Sequence, residues 1–535
     1  MVDKKLEEKA SDPSTVSEAY AEMAPKWAMA EALLGGTEAM RAAGTIYLPQ
    51  HPHEDNSNYF ERLNTTTLYN MFTLTLDSLV GKPFSDRLEP NSDVPDEIKE
   101  LLPDIDKQGN DLHAFARNWF RDSLAKCFSH VFIDMPRPPA PENGTVRTIA
   151  DDIQDKARPY AVFIKPENVI FMREAEIDGE KTLVHVRIKE CTYRPYGFTE
   201  IEVHQIRTYD LVKLLDGQYK VDCSLYELGK DRNNKPIWIQ VDYFQMDIDR
   251  IPLVTFYANY ESLMRGLPPL EDLAFLNIRH WQSTSDQYNI LTVARFPMLA
   301  VSGAYDAPEQ NVMAIGPRQL LATRAENGKF YYVEHSGKAI QAGNDDLEKL
   351  EQQMASYGAE FLRKRPGGQT ATARALDSAE SMSPLQDMTA RFADAMARML
   401  SFFAKWMGIE EGGTIKIATD FGPEEVSDVD LRSLNEARRN RDLSRQQYLK
   451  EMIRRGALAE DFSFEDNLKE LESEPQIISP FATGVNVGAT GGANPNNPDG
   501  SNADPEDAKS KNAEAKNAKK ADANAVKKED GESDD

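Results

Sequence analysis

Few residues of this chain have the type and spacing to do chemistry. His51 and His53 alternate beside Glu54 and Asp55 in the polar segment HPHEDNSN, residues 51–58. In an extended chain both imidazoles would fall on one side, a geometry that can hold a metal ion; a solvated loop is the other reading of so polar a turn. Arg363, Lys364 and Arg365 stand directly before Pro-Gly-Gly-Gln-Thr. At a helix C-terminus each cation would offset the dipole by about 0.3 to 1 kcal/mol; in a loop the run would offer a basic edge to a polyanion. His280 beside Trp281, and His113 on the segment of Trp119, read as packed or hydrogen-bonded core histidines, with no serine or cysteine assignable to them. Cys127, Cys191 and Cys223 are too scattered for a disulfide framework or a zinc knuckle and fit folding in a reducing cytosol.

Catalytic signatures are missing. There is no G-x-x-x-x-G-K-[ST], no G-x-G-x-x-G after a strand, no G-x-S-x-G and no H-E-x-x-H. With 88 carboxylates, no acid/base pair stands out. The expectation is a protein that is not an enzyme, with no catalytic, cofactor-binding or metal-binding residues.

The elements that would position these residues follow from periodicity. Ser17 to Arg41 is helical in pieces, punctuated by Pro25 and Gly35-Gly36. Tyr59 to Val80 reads as one helix stopped by Gly81-Lys82-Pro83, and a second runs from Asn110, a plausible N-cap, to Cys127, leading into a strand at Val131. Between Arg158 and Tyr257 the period changes to two, with turns at Asp178-Gly179, Asp216-Gly217 and Asn233-Asn234, which predicts a mainly antiparallel β region. Pro268-Pro269 opens a helix of about 25 residues reaching Ala294, whose apolar residues spread over more than one face, so that neighbours, among them copies of itself, should enclose it.

Strand-like Met298-Leu-Ala-Val and Lys329-Phe-Tyr-Tyr-Val follow, then a helix capped by Asn344. Residues 373–407 read as a long helix kinked or restarted at Ser383-Pro384, with a strand at Thr414 to Ala418 and three short helices beginning at Ser427, Ser444 and Ser463. Beyond Ser479 the composition collapses to Gly, Asn, Ala, Lys and Asp, as expected of a disordered acidic tail.

At 535 residues the chain is too long for one compact core. Its 40% hydrophobic and 28% charged residues are globular composition, which excludes global disorder. A formal net charge of −26 argues against a protein whose main task is to grip phosphates, and suits a surface that must not stick to DNA. No stretch approaches the roughly 20 apolar residues of a membrane span, and the charged first residues lack a signal peptide's apolar core, so no membrane contact is expected.

Taken together, the chain resembles bacteriophage portal proteins, in particular a tailed-phage family first described through a domain of unknown function. The resemblance rests on Trp27 with Ala32-Leu-Leu-Gly-Gly-Thr-Glu-Ala-Met-Arg41, Tyr47-Leu-Pro, Tyr59-Phe-Glu-Arg62, Leu79-Val-Gly-Lys-Pro-Phe84, Asp122-Ser-Leu, and His130 through Pro136. Ile251-Pro-Leu-Val, Leu443-Ser-Arg-Gln-Gln-Tyr-Leu and Arg454-Arg-Gly-Ala-Leu extend it over roughly 23–475. It is carried by the order of many weak motifs.

The resemblance implies a multi-domain α+β portal fold. Its parts would be a flexible arm at 1–22, a wing at 23–258, a stem helix at 259–294, a clip at 295–343 and a second stem helix at 344–362. A tunnel loop at 363–372 would follow, then a long kinked helix with a wing strand at 373–423, a crown at 424–475 and a disordered tail at 476–535. Arg363, Lys364, Arg365, Gln369 and Thr370 would face DNA.

By the same resemblance the protein is a ring, usually dodecameric, at one capsid vertex of the virion, made in the host cytoplasm. It would serve genome packaging, head-tail joining and ejection. Its partners would be the terminase large subunit, head-tail adaptors, the major capsid and scaffolding proteins, and double-stranded DNA. Two other readings compete: a head-tail adaptor or capsid scaffold without the packaging channel, and a metal-dependent hydrolase or nuclease, which has no recognisable motif.

Overall fold

Mixed helix and antiparallel sheet build the protein. The computed structural model describes residues 12–136, 157–295, 298–302, 328–333, 337–360, 383–419, 421, 428–454 and five single positions up to 469. The chain divides into two units, Met1–Pro423 and Glu424–Asp535.

The first unit opens with helix α1, Glu18–Leu34, capped by the Ser17 hydroxyl, which accepts from the Tyr20 amide. A helix therefore begins within the segment 1–22 expected to be a flexible arm. The Ser17 amide donates to the Ile170 carbonyl at 3.0 Å and the Tyr20 hydroxyl to that of Glu167 at 3.0 Å, fixing these residues to the sheet region. Pro25 lies inside α1 without ending it, and the break falls at Gly35-Gly36, where the Gly36 φ of +70° favours glycine. Helix α2, Gly36–Ala43, follows.

The single helix expected from Tyr59 to Val80 is two: α3, Asn56–Thr65, and α4, Met71–Gly81. Three consecutive β-branched threonines, residues 65–67, weaken the helix at the join. The buried Thr66 hydroxyl donates to the Arg62 carbonyl at 2.7 Å, and Asn70 starts the next helix by accepting from the Thr73 amide. Strand β1, Glu89–Pro90, and the short helix α5, Asp96–Lys99, lead to α6, Leu112–Lys126. The cap of α6 is Asp111 and not Asn110, whose side chain instead donates to Asp106.

Strand β2, Phe128–Asp134, starts directly after α6 and forms the centre of an antiparallel sheet between β3, Tyr160–Ile164, and β9, Leu253–Tyr257. Between β3 and β9 runs a five-stranded meander. Its strands are β4, Val169–Ile177; β5, Glu180–Tyr196; β6, Thr199–Lys213; β7, Tyr219–Lys230; and β8, Pro236–Met246. Positive φ at Asp178, Gly179, Gly217 and Asn234 confirms the turns that the sequence marks.

Helix α7, Glu271–Ala294, is followed by strands β10, Met298–Ser302, and β11, Lys329–Val333, which pair antiparallel, and then by α8, Lys338–Glu360. Ser383-Pro384 is a true start: Ser383 and Gln386 form a reciprocal capping box and Pro384 takes the first turn of α9, Pro384–Met407. Strand β12, Ile415–Lys416, is shorter than expected and pairs with β1.

Two apolar clusters hold this unit. In the larger, Phe392 of α9 meets Trp119, Phe120 and Phe256 at centroid distances of 5.1, 5.1 and 4.8 Å. Rings at such spacing add about 0.5 to 1.5 kcal/mol per pair beyond area burial. The smaller cluster joins Trp27, Phe128 and Phe132 to Val186, Tyr209 and Val221 of the meander.

The second unit contains α10, Asp428–Arg439, and α11, Arg445–Arg454. Ser444 caps α11 by accepting from the Gln447 amide, and the Tyr448 hydroxyl ties the pair by donating to Asn435. The helix expected from Ser463 falls mostly outside the described residues, as does the tail. Among the described residues no helix is long and apolar enough to cross a membrane.

Candidate functional site

Two of the segments singled out in the sequence, the histidine turn at 51–58 and His280, meet the helix pair α7 and α8. The two helices run antiparallel: Gln287 reaches Ile340 and Asn344, His280 reaches Glu351, and the Tyr357 hydroxyl donates to the Pro269 carbonyl at 3.4 Å. Leu273, Ala274 and Trp281, with Leu270 just before the helix, bury one flank of α7, and Leu350 and Met354 the facing stripe of α8.

Polar side chains set the pair's position. Asn277 is fully buried and bridges the break between α3 and α4: its Oδ1 accepts from the Phe72 amide and its Nδ2 donates to the Tyr69 carbonyl, both at 2.9 Å. His280 is the packed histidine the sequence suggests, 3.3 Å from both Glu351 and Thr284 and against the Tyr69 ring. His113 likewise packs on Phe84 and accepts from the Leu88 amide.

Helix α8 begins at Lys338, so Asn344 is interior to it and not its cap. Gly343, directly before the expected cap, lies inside the helix and against α7. A Cβ there would stand 2.1 Å from Gln287 Oε1, so the missing side chain admits the Gln287 amide, which donates to the Ile340 carbonyl and to Asn344 Oδ1 at 2.9 Å each.

The histidine turn is anchored to the same pair. Arg62, almost fully buried, forms a two-armed ion pair with Glu54 at 2.8 and 2.9 Å, and also donates to Ser285 Oγ and the Pro49 carbonyl. The hydrogen bond from Arg62 holds the Glu54 carboxyl at about 2, well below its ordinary value. His51 Nε2 lies 3.0 Å from Asp286, and Gln282 donates to the Tyr47 carbonyl. His53 is exposed with a positive φ. The turn is thus a fastening between α3 and α7, and among the described residues its two histidines do not join a cluster of metal-ligand groups.

Residues 269–407 match a family model described as a domain of unknown function, DUF4055.

The match spans α7, the β10–β11 hairpin, α8 and α9. Among solved structures, the virion of a native gene transfer agent particle aligns at 12% identity and TM-score 0.33, covering 76% of this chain and 90% of the other. The neck of an empty particle of that agent, computed with sixfold symmetry, aligns at 11% and 0.35, and that of the native particle, computed with twelvefold symmetry, at 11% and 0.33, with the same coverage. No curated protein matches the sequence.

Arg363, Lys364, Arg365, Gln369 and Thr370 lie outside the described residues. What the sequence reading missed is a cluster elsewhere. Cys191, Glu202 and His204 meet on β5 and β6, with ligand atoms all within 4.8 Å of one another. The available signal was positional: Cys191 and His204 sit symmetrically about the Gly197 turn, which makes them direct cross-strand partners.

Proposed function

We propose that this chain is a phage portal protein, a ring-shaped DNA channel at one vertex of a capsid through which the genome is packaged and later leaves. The observation that carries the reading is the antiparallel pair α7 and α8 bracketing a β hairpin, with apolar residues of α7 left uncovered among the described residues: Phe275, Tyr288 and Ile290 are 56%, 43% and 37% exposed. Large apolar side chains along a helix that is otherwise packed suit a neighbour on the open side, and a second copy in a head-to-tail ring supplies one to every subunit. The domain match over 269–407 falls on this same region.

Charge supports the channel. Asp345, Glu348 and Glu351 are exposed on α8, and the chain carries −26 overall. Carboxylates near DNA repel phosphates, so the duplex slides without breaking many ion pairs. In this reading Arg363, Lys364, Arg365, Gln369 and Thr370 form a loop at the channel wall, the hairpin contacts the terminase and later the adaptors, and twelve copies close the ring in the virion.

Native mass spectrometry with negative-stain imaging of the purified full-length protein tests this. A hollow ring of about twelve 60.2-kDa chains, formed without nucleotide, is the expected result. Monomers alone, both in assembly conditions and in extracts of the particle, would sink it. The adaptor or scaffold reading is separated by fractionating particles, because a scaffold leaves the mature virion and a portal stays.

A further inference from the structure

We propose that Cys191, Glu202 and His204 form a binding site for a thiophilic divalent cation of the Zn²⁺ class on the β5–β6 ribbon. Cys191 Sγ lies 3.1 Å from Glu202 Oε1, and His204 Nε2 lies 3.9 Å from the same oxygen. Around a tetrahedral Zn²⁺ with bonds of about 2.0 to 2.3 Å, neighbouring ligand atoms stand roughly 3.3 to 3.6 Å apart. The observed separations bracket that range, so small side-chain rotations complete three ligands.

Thiolate, imidazole and carboxylate together are a Zn²⁺-type donor set, where an all-carboxylate cluster would suit Mg²⁺ or Ca²⁺. On binding, the thiol gives up the proton that it now donates to Glu202. All three residues are exposed, so an ion enters without opening the fold and keeps water at its fourth position.

The place of the cluster gives the ion a task. β4 pairs with β5 only as far as Ile188, and β7 pairs with β6 only from Gln205. Among the described residues no third strand pairs with 191–204, which is therefore a two-stranded ribbon, and such ribbons are marginal on their own. Cys191 and His204 face each other across it just beyond the point where sheet support ends. A bound ion would cross-link the two strands there and pin their register.

The test uses full-length protein made without a histidine tag, reduced and freed of metal by a chelator. Titration with Co²⁺ is expected to give a thiolate-to-cobalt charge-transfer band at one ion per chain, which Zn²⁺ displaces. The chain has three cysteines, and Cys127 and Cys223 are buried, so the band reports Cys191. C191S should abolish it. H204A and E202Q should weaken Zn²⁺ binding by at least the roughly 10- to 100-fold that changes around a metal's ligands already cause. Amide hydrogen exchange over 190–204 should slow with Zn²⁺ in the parent protein and not in C191S. An absent band, a band that survives in C191S, or unchanged Zn²⁺ affinity in H204A would each overturn the site; because all three side chains are exposed, the variants keep the fold.

Discussion

Lys126 has no side-chain exposure and stands among three carboxylates, Glu31, Asp122 and Glu167, while Lys165 bonds Glu31 from the outside. Two cations against three anions leave one negative charge in excess at a buried place. Asp122 bears it: burial pushes its carboxyl up to about 6 against the pull of Lys126, and its Oδ2 has no partner. Glu31 goes the other way, since hydrogen bonds from Lys126 and Lys165 outweigh its burial and hold it at about 2. The signs differ in consequence. Glu31 stabilises the fold above its ordinary value, and this is lost as pH falls toward 2. Asp122 ionises more readily unfolded than folded, so its burden grows as pH rises from about 4 to 6 and persists above. Asp122→Asn should therefore raise the thermal midpoint at about pH 7.5 and lose that advantage near pH 4, with each pKa unit worth about 1.4 kcal/mol. An equal gain at both pH values would mean that relieved packing, and not the charge, is responsible. Lys126→Met removes the buried cation of this cluster and should cost about 3 to 5 kcal/mol in urea unfolding at neutral pH.

Between elements, a few buried polar side chains decide where helices end and how they face. Asn277 is the clearest: it satisfies a free helix-start amide at Phe72 and a carbonyl at Tyr69, so α7 and the α3–α4 join hold each other in place. Asn277→Ala strands both groups in a buried setting and should lower unfolding free energy by about 2 to 6 kcal/mol, at roughly 1 to 3 kcal/mol per unsatisfied group. A change below about 0.5 kcal/mol in chemical denaturation would show that the join is held by its apolar contacts alone, since that is the size of an ordinary surface substitution. The same residue shows what could be read from the sequence. Apolar spacing announced α6, α7 and α9, and Ser383-Pro384 announced a helix start, because those signals are local. The break at Thr66–Asn70 was only partly legible: the threonines at 65–67 are a local signal, but Asn277, which holds the join in place, lies 205 residues from Phe72. The role of Gly343 was hidden as well, because it shows only through the Gln287 amide that packs against it. Likewise the Cys191, Glu202 and His204 cluster depends on strand register, while the basic run at 363–365 is plain in the sequence as composition.

For the whole molecule the question is whether assembly uses surfaces that folding leaves free. Phe275, Tyr288 and Ile290 are exposed on α7, so replacing them should leave the subunit's own core untouched. The double variant Phe275→Asp, Ile290→Asp is expected to keep the parent's circular dichroism and thermal midpoint within about 0.5 kcal/mol, as surface substitutions do. On the ring reading it should nevertheless run as a monomer in native mass spectrometry, because two carboxylates per interface repeat around the ring. The tail gives the complementary test. From residue 484 onward the chain holds 7 Lys against 11 Asp plus Glu and no aromatic residue, a composition with too little apolar surface to contribute to a core. A chain ending at residue 483 should therefore assemble as the full-length protein does. Rings from the double variant would remove α7 from the interface, and monomers from the truncated chain would give the tail a part in assembly that its composition alone does not supply.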